Sequence, residues 1–311
     1  MGSWKITHHG TNLTEVLFRR PTEGSARVLI FDMKGAFVSN PDVSQFSQEP
    51  ETVPECFYWR EGEGKTESFV STILTRGPWN RNFQHGGPPS ALLTTALMTG
   101  VDDMALARVT LEFLRPVPID RLRIEVQEVT EGRSVRRRSA RLFHGEKPVM
   151  EATGLFIRQL PTETDNSCES WPQPEGLEPF TIPFFPWDVG YQSSLELRLL
   201  DPPWGKSKMR LWGKARFPLV AGRETLPEAH VMILADAESG LGPPVDPTKW
   251  TYVNPDLTVY FGRPPEEGWL GLEIHSFVGE LGGGISEAQL RDDKGIFGRS
   301  LQNLLVEKRP D

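Results

Sequence analysis

The stretch VTLEFLRPVP at 109–118 returns as LTVYFGRPPE at 257–266. Phe113, Arg115 and Pro116 match Phe261, Arg263 and Pro264 in one register. Carried forward, that register sets Ala140 against Ala288, Leu142 against Leu290, Val149 against Phe297 and Ala152 against Ser300. A constant offset held from one strand-like run to the next is the mark of a duplicated supersecondary unit, so the fold must contain two copies of one strand-rich design.

The content of the unit follows from periodicity. RLRIEVQEV at 121–129 alternates Leu122, Ile124 and Val126 with charged residues, as a strand with one solvated face does. SVRRRSARLF and VMEATGLFI continue in the same style, and WLGLEIHSFV, ISEAQLRDD and FGRSLQNLLV repeat it in the second copy. Each copy also holds one predicted helix. The first, at 88–99, has Pro88 and Pro89 where a helix tolerates missing N–H groups, Gly86 and Gly87 before it, an apolar LLTTALM face, and Gly100 to stop it. The second, at 227–239, opens on Pro227 and Glu228 and stops at Gly240. Between the copies, residues 161–186 are rich in Pro, Glu and small polar residues without sustained periodicity and read as a linker. Residues 1–54 precede the first copy, and VLIFDMKGAF within them reads as a strand whose partner the pattern does not name. Arg115 and Arg263, each before a proline, read as structural donors to turn carbonyls.

Composition narrows the function. At 311 residues, 38% hydrophobic and 24% charged, the chain can bury one large core or two ordinary ones. A net charge of −8 argues against a nucleic-acid partner, although the Arg136, Arg137, Arg138 run suits one anionic ligand, with Arg137 taken as the contact. Cys56 and Cys168 supply neither a disulfide framework nor metal-ligand spacing, so no metal and no cofactor are expected and a reducing, cytoplasmic setting fits. MGSWKIT has no apolar signal region, and no run approaches the ~20 apolar residues that span a membrane.

Three features carry chemistry. Asp236 sits among Met232, Ile233 and Ala237 on the second helix, where an ionised carboxylate loses hydration unless something hydrogen-bonds it. The first helix presents the Gly86 and Gly87 amides to a carbonyl oxygen or an anion, with His85 beside them as a substrate contact. No G-x-S-x-G elbow is present, and neither cysteine sits in a catalytic signature.

GPW…QHGGPPSALL, VTLEFLRPVP, GRSVRRRSARLFHGEKPVMEATGLF, ILADAESG, VNPDLTVYFGRP and FGRSLQNLLV, in this order, resemble the double hot-dog acyl-CoA thioesterases of the thioesterase II type. The resemblance runs over about residues 55–308. It implies an α+β fold of two fused hot-dog units, each a curved antiparallel sheet wrapped round a central helix, at 55–160 and 187–311. It also implies hydrolysis of acyl-CoA or acyl-carrier thioesters by a water held by an Asp, a Gln and a Thr. The Asp falls on Asp236 and the Gln on Gln302, while the Thr position holds Asn254, which still donates and accepts hydrogen bonds. Gly154 stands in the first copy where Gln302 stands in the second, so one working site is expected. Two other readings stay open: a non-hydrolytic hot-dog enzyme such as an acyl hydratase or dehydratase, since Asn254-Pro255 begins that signature without its His, and a non-catalytic acyl-binding protein. Because fusion buries the face that single hot-dogs bury by pairing, a monomer or a homo-oligomer through sheet edges is expected.

Overall fold

A computed structural model describes residues 53–64, 67–163 and 169–309, and the backbone of four strands that precede them. Those strands, β1 (Ser3–His9), β2 (Leu13–Arg19), β3 (Ala26–Asp32) and β4 (Phe37–Ser39), form an antiparallel sheet in chain order. The strand expected in VLIFDMKGAF is β3, and its partners are β2 and β4. Cys168 lies outside the described residues.

The rest builds a second antiparallel sheet from the two copies. The first copy contributes β5 (Tyr58–Glu61), β6 (Ser68–Ser71), α1 (Gly87–Met98), β7 (Ala105–Phe113), β8 (Arg121–Thr130), β9 (Val135–His144) and β10 (Lys147–Ile157). After β11 (Pro179–Phe180) come β12 (Leu195–Leu199), β13 (Lys208–Ala215), α2 (Pro227–Ala235) and α3 (Glu238–Leu241). The chain ends with β14 (Trp250–Val253), β15 (Asp256–Phe261), β16 (Leu270–Val278), β17 (Gly283–Asp292) and β18 (Gly295–Lys308). Spatial order is β11-β12-β13-β16-β17-β18-β15-β7-β10-β9-β8-β6-β5, with β14 also paired to β18. Outward from the middle, β15, β18, β17, β16, β13 and β12 mirror β7, β10, β9, β8, β6 and β5. The centre is the pairing of the two repeat motifs, Val109 with Val259, Thr110 with Thr258 and Leu111 with Leu257.

The helices bury their apolar faces on this sheet and on each other. α1 packs on α2 and meets β7 to β10, α2 also meets β13, and α3 meets β16 and β17. Leu92, Leu93 and Leu97 of α1 join Leu111, Leu142 and Met150, and Val231 and Ile233 of α2 join Leu257, Leu272 and Leu290, in one continuous apolar cluster. The strands alternate accordingly: on β18, Ser300, Gln302, Leu304 and Val306 face inward while Leu301, Leu305 and Glu307 face out.

The expected helix at 88–99 is α1, one residue earlier. The expected helix at 227–239 is interrupted. α2 ends at Ala235, and Asp236 is its C-cap with φ −63° and ψ −18°. The Ala237 N–H bonds Leu234 O at 3.0 Å, a tighter turn than the α-helical one, before α3 resumes. Asp236 therefore occupies a helix end and not a helix interior. On β8 the alternation also stops short: Leu122 is buried, but Val126 and Val129 are exposed. The segment read as a linker contributes to the core, with Trp171 and Ile182 buried and β11 paired to β12. Arg115 donates to Pro148 O at 2.6 Å, and Arg263 donates to Gly295 O at 3.0 Å and to both oxygens of Asp292 at 2.7 and 2.6 Å. Each arginine donates to a strand carbonyl beside a hairpin turn, close to the turn-carbonyl role read from the repeat, and Arg263 adds an ion pair with Asp292.

Candidate active site

The break after Ala235 turns the Asp236 side chain to the junction of the two copies, where it is buried. The Asn254 Nδ2 group donates to Asp236 Oδ1 at 2.8 Å and lies 3.3 Å from Asp256 O. The other carboxylate oxygen, Oδ2, is 2.9 Å from His85 Nδ1. A carboxylate out of water needs such donors. Two of the residues expected around the site, Asp236 and Asn254, thus touch directly, and His85 meets the carboxylate itself.

His85 is held flat. Its ring stacks on Tyr191 with centroids 3.7 Å apart and planes 6° from parallel, and Phe185 stands 6.4 Å away. Tyr191 in turn donates its hydroxyl to Ile233 O of α2. Burial first, then the negative charge of Asp236, holds the Tyr191 phenol well above its usual range, so it remains a donor. The 2.9 Å contact to Asp236 places the His85 ring proton on Nδ1. The Gly87 N–H is directed at that same nitrogen from 3.2 Å.

The two glycines are demanded by closeness. A Cβ on Gly86 would lie 2.7 Å from Asp236 Oδ2 and 2.7 Å from the Phe113 ring, and one on Gly87 would lie 2.4 Å from Ile233 O. Pro88 and Pro89 carry no N–H, so Gly86 and Gly87 are the amides this end of α1 can offer to a ligand. Among the described residues the Gly86 N–H has no hydrogen-bond acceptor.

Gln302 lies on β18, wholly buried, with neither amide atom in a hydrogen bond. Its polar neighbour is Glu238, a residue that reading the sequence did not single out. Glu238 is wholly buried; Oε2 accepts from Ser300 Oγ at 2.5 Å, and Oε1 has no partner. Burial drives the Glu238 carboxyl well above the ordinary range, against the opposing Ser300 and Gln302 contacts, and the charges of Asp236 and Glu287 push the same way. The only signal for it in the chain is its place two residues after Asp236.

The duplication shows how the halves diverged. Cross-strand neighbours Ser276, Ser286 and Gln302 of the second copy correspond to Glu128, Arg138 and Gly154 of the first. In the second copy Ser276 and Ser286 share a hydrogen bond of 2.7 Å beside Gln302. In the first, Arg138 pairs with Glu128 at 2.6 Å and donates to the Leu97 and Thr99 carbonyls at the end of α1. A Cβ on Gly154 would sit 3.0 Å from the Phe156 ring and 3.5 Å from Leu97. The first copy fills with an ion pair and hydrocarbon the place where the second keeps small hydroxyls and an amide. Arg137, on the opposite face of β9 from Arg138, is exposed. Its neighbour caps the far end of α1, about 18 Å from Gly87 at 1.5 Å per residue, so the structure does not bring Arg137 to the Asp236 cluster. Among the described residues no group of three or more His, Cys, Asp or Glu is placed to hold a metal, and no helix is long and apolar enough to cross a membrane.

Comparison with known proteins agrees with this architecture. The acyl-CoA thioesterase N-terminal domain matches residues 75–157 and the acyl-CoA thioesterase C-terminal domain matches residues 165–306. A search of curated proteins gives no match. Among solved structures, a Novosphingobium aromaticivorans protein assigned as a thioesterase is 18% identical with a TM-score of 0.66, covering 82% of this chain and 100% of its own. A hot-dog protein of unknown function from Alicyclobacillus acidocaldarius is 16% identical with a TM-score of 0.62, covering 80% and 95%. The acyl-CoA thioesterase II TesB2 of Mycobacterium marinum is 17% identical with a TM-score of 0.60, covering 80% and 96%. With an N-terminal and a C-terminal thioesterase domain matched in order along a duplicated antiparallel sheet, the chain belongs to the double hot-dog acyl-CoA thioesterases.

Proposed function

We propose that this thioesterase hydrolyses its substrate at a single site, with a water held by Asp236, Asn254 and Gln302. The observation that carries the reading is a buried carboxylate beside an amide with no acceptor among the described residues: Asp236 Oδ2 lies where a Gly86 Cβ would be 2.7 Å away, and the Gly86 N–H makes no hydrogen bond. A carbonyl oxygen bound at the Gly86 and Gly87 N–H groups therefore lies beside the base. The water oxygen attacks the thioester carbon and its proton passes to Asp236. The oxyanion is held by the glycine amides, the C–S bond breaks as the intermediate collapses, and the proton leaves with the thiol. Asn254 and His85 fix the carboxylate, and Asn254 Oδ1 and the Gln302 amide orient the water. A thioester is reactive enough that no covalent nucleophile is required.

In this reading residues 55–160 and 187–311 are the two hot-dog units, each sheet wrapped round its helix, with 161–186 between them and 1–54 as an extension. The first copy, with Gly154 and the Glu128–Arg138 pair, keeps no second site. Acyl-CoA or an acyl-carrier thioester is the substrate in a cytoplasmic setting, and Arg137 is proposed as a phosphate contact on its exposed charge alone. The chain acts as a monomer or pairs through sheet edges. Thiol release from short, medium and long acyl-CoA, and from the same acyl groups on carrier protein, tests the assignment. Cleavage of at least one series supports it, and binding without cleavage of any favours the non-catalytic reading.

A further inference from the structure

We propose that Glu238 is a positioning residue that holds Gln302 toward the attacking water, donating as a neutral carboxylic acid to Gln302 Oε1. The inference rests on the hydrolytic reading above and deepens it. Three buried polar atoms, Glu238 Oε1, Gln302 Oε1 and Gln302 Nε2, make no hydrogen bond of ordinary geometry, although the Glu238 and Gln302 side chains lie within reach of each other. Native interiors rarely leave such atoms unpaired, and three in one place need a common explanation. A single proton on Glu238 supplies it. With Oε1–H donating to the Gln302 carbonyl oxygen, the amide loses its freedom to flip, and its N–H groups are left for the water.

The protonation follows from where donors lie. Asp236 receives well-formed N–H contacts from Asn254 and His85, whereas Glu238 receives one well-formed hydrogen bond, from the Ser300 hydroxyl, and only a looser contact from Gln302. The charged groups that act on Glu238 are Asp236, at the end of α2, and Glu287 on β17, both acidic. No cation contacts it among the described residues. Two neighbouring carboxyls in one buried site do not both ionise, and the charge settles on the one with more donors. Gln302 thus receives a fixed donor on one side and presents a fixed donor on the other. The first copy has Gly154 at the Gln302 position and needs no such acid.

The experiment compares the full-length parent with Glu238→Gln, Glu238→Ala, Gln302→Ala and the double Glu238→Ala/Gln302→Ala, using whichever acyl-CoA the parent cleaves best. Glu238→Gln keeps the shape and a donor, so its kcat should stay within about threefold of the parent. Glu238→Ala and Gln302→Ala should each lose about 10- to 100-fold in kcat with KM little changed, and the double variant should lose no more than Gln302→Ala, because a freed amide and a missing one both leave the water unoriented. The parent-minus-Glu238→Gln infrared difference spectrum at neutral pH should contain a carboxylic-acid C=O band. The proposal is overturned by an absent band, by a Glu238→Gln loss as deep as that of Glu238→Ala, by parent-like kcat in Glu238→Ala, or by additive losses in the double variant. A parent that cleaves no thioester would instead overturn the hydrolytic reading itself.

Discussion

Thr258 Oγ1 donates to Thr110 Oγ1 at 3.1 Å across the middle of the sheet, and each threonine is the other's copy, 148 positions apart. The pairing of Val109 with Val259 and Leu111 with Leu257 steps outward symmetrically from this contact. A local two-fold axis therefore runs between the two hydroxyls, and the single chain reproduces the self-complementary interface that two identical subunits would form.

The contact should be measurable as a coupling. Thr110→Val and Thr258→Val should each cost about 0.5 to 1 kcal/mol, and the double variant should cost clearly less than the sum, since removing both hydroxyls leaves neither unpaired. Urea midpoints for the three variants and the parent give the cycle. Strict additivity would mean that the hydroxyls do not interact.

Closeness at the start of α1 makes a second expectation. Gly87→Ala pushes a methyl into Ile233 O, a backbone atom that cannot swing away. It should lower stability by about 1 to 3 kcal/mol, as overpacking does. Gly86→Ala meets Asp236 Oδ2 and the Phe113 ring, so it should displace the carboxylate and depress turnover. Thermal melting and thiol release on the two variants check this, and parent-like values for both would contradict the packing described.

How much of this was legible in the chain depended on where partners lie. The register of Phe113-x-Arg115-Pro116 against Phe261-x-Arg263-Pro264 marked the strands that meet at the centre, because the same turn and core positions recur in both. Pro88, Pro89 and Gly100 marked α1 because they act locally. The break after Ala235 had no such mark: Ala237, Glu238 and Ser239 all tolerate a helix, and the turn is set by Asn254 and His85 reaching Asp236 from distant segments. Glu238 was missed for the same reason, since its burial under β18 is a tertiary fact. In the run Arg136, Arg137, Arg138, period two separates one face from the other, but which face covers α1 depends on the strand's pairing.

His230 makes the fold sensitive to acid. It retains some exposure as a residue, but its ring nitrogen is inside and accepts the Ala215 N–H at 2.7 Å. Burial, then the charge of Lys214, lowers its pKa to about 4. Between the unfolded value of about 6.5 and 4, the unfolded chain binds the proton that the folded chain refuses, so this contribution is lost as pH falls through that window. Glu238 acts in the opposite sense above the ordinary carboxylate range: folded and protonated, it loses stability as pH rises. The difference between parent and His230→Gln isolates the histidine, and should shrink by up to about 3 kcal/mol from pH 7 to pH 4. A difference independent of pH, from denaturation curves at each pH, would rule out a buried neutral His230.

The most direct test of the account is thioester cleavage by Asp236→Asn beside the parent, on the best acyl-CoA, with substrate affinity measured in parallel. The substitution keeps the volume and leaves an amide that His85 can meet by shifting its ring proton, so the fold and binding should persist. It removes the proton acceptor, and turnover should fall by ~10² to 10⁴. Equal turnover in the two proteins would remove Asp236 from the chemistry and with it the site described here.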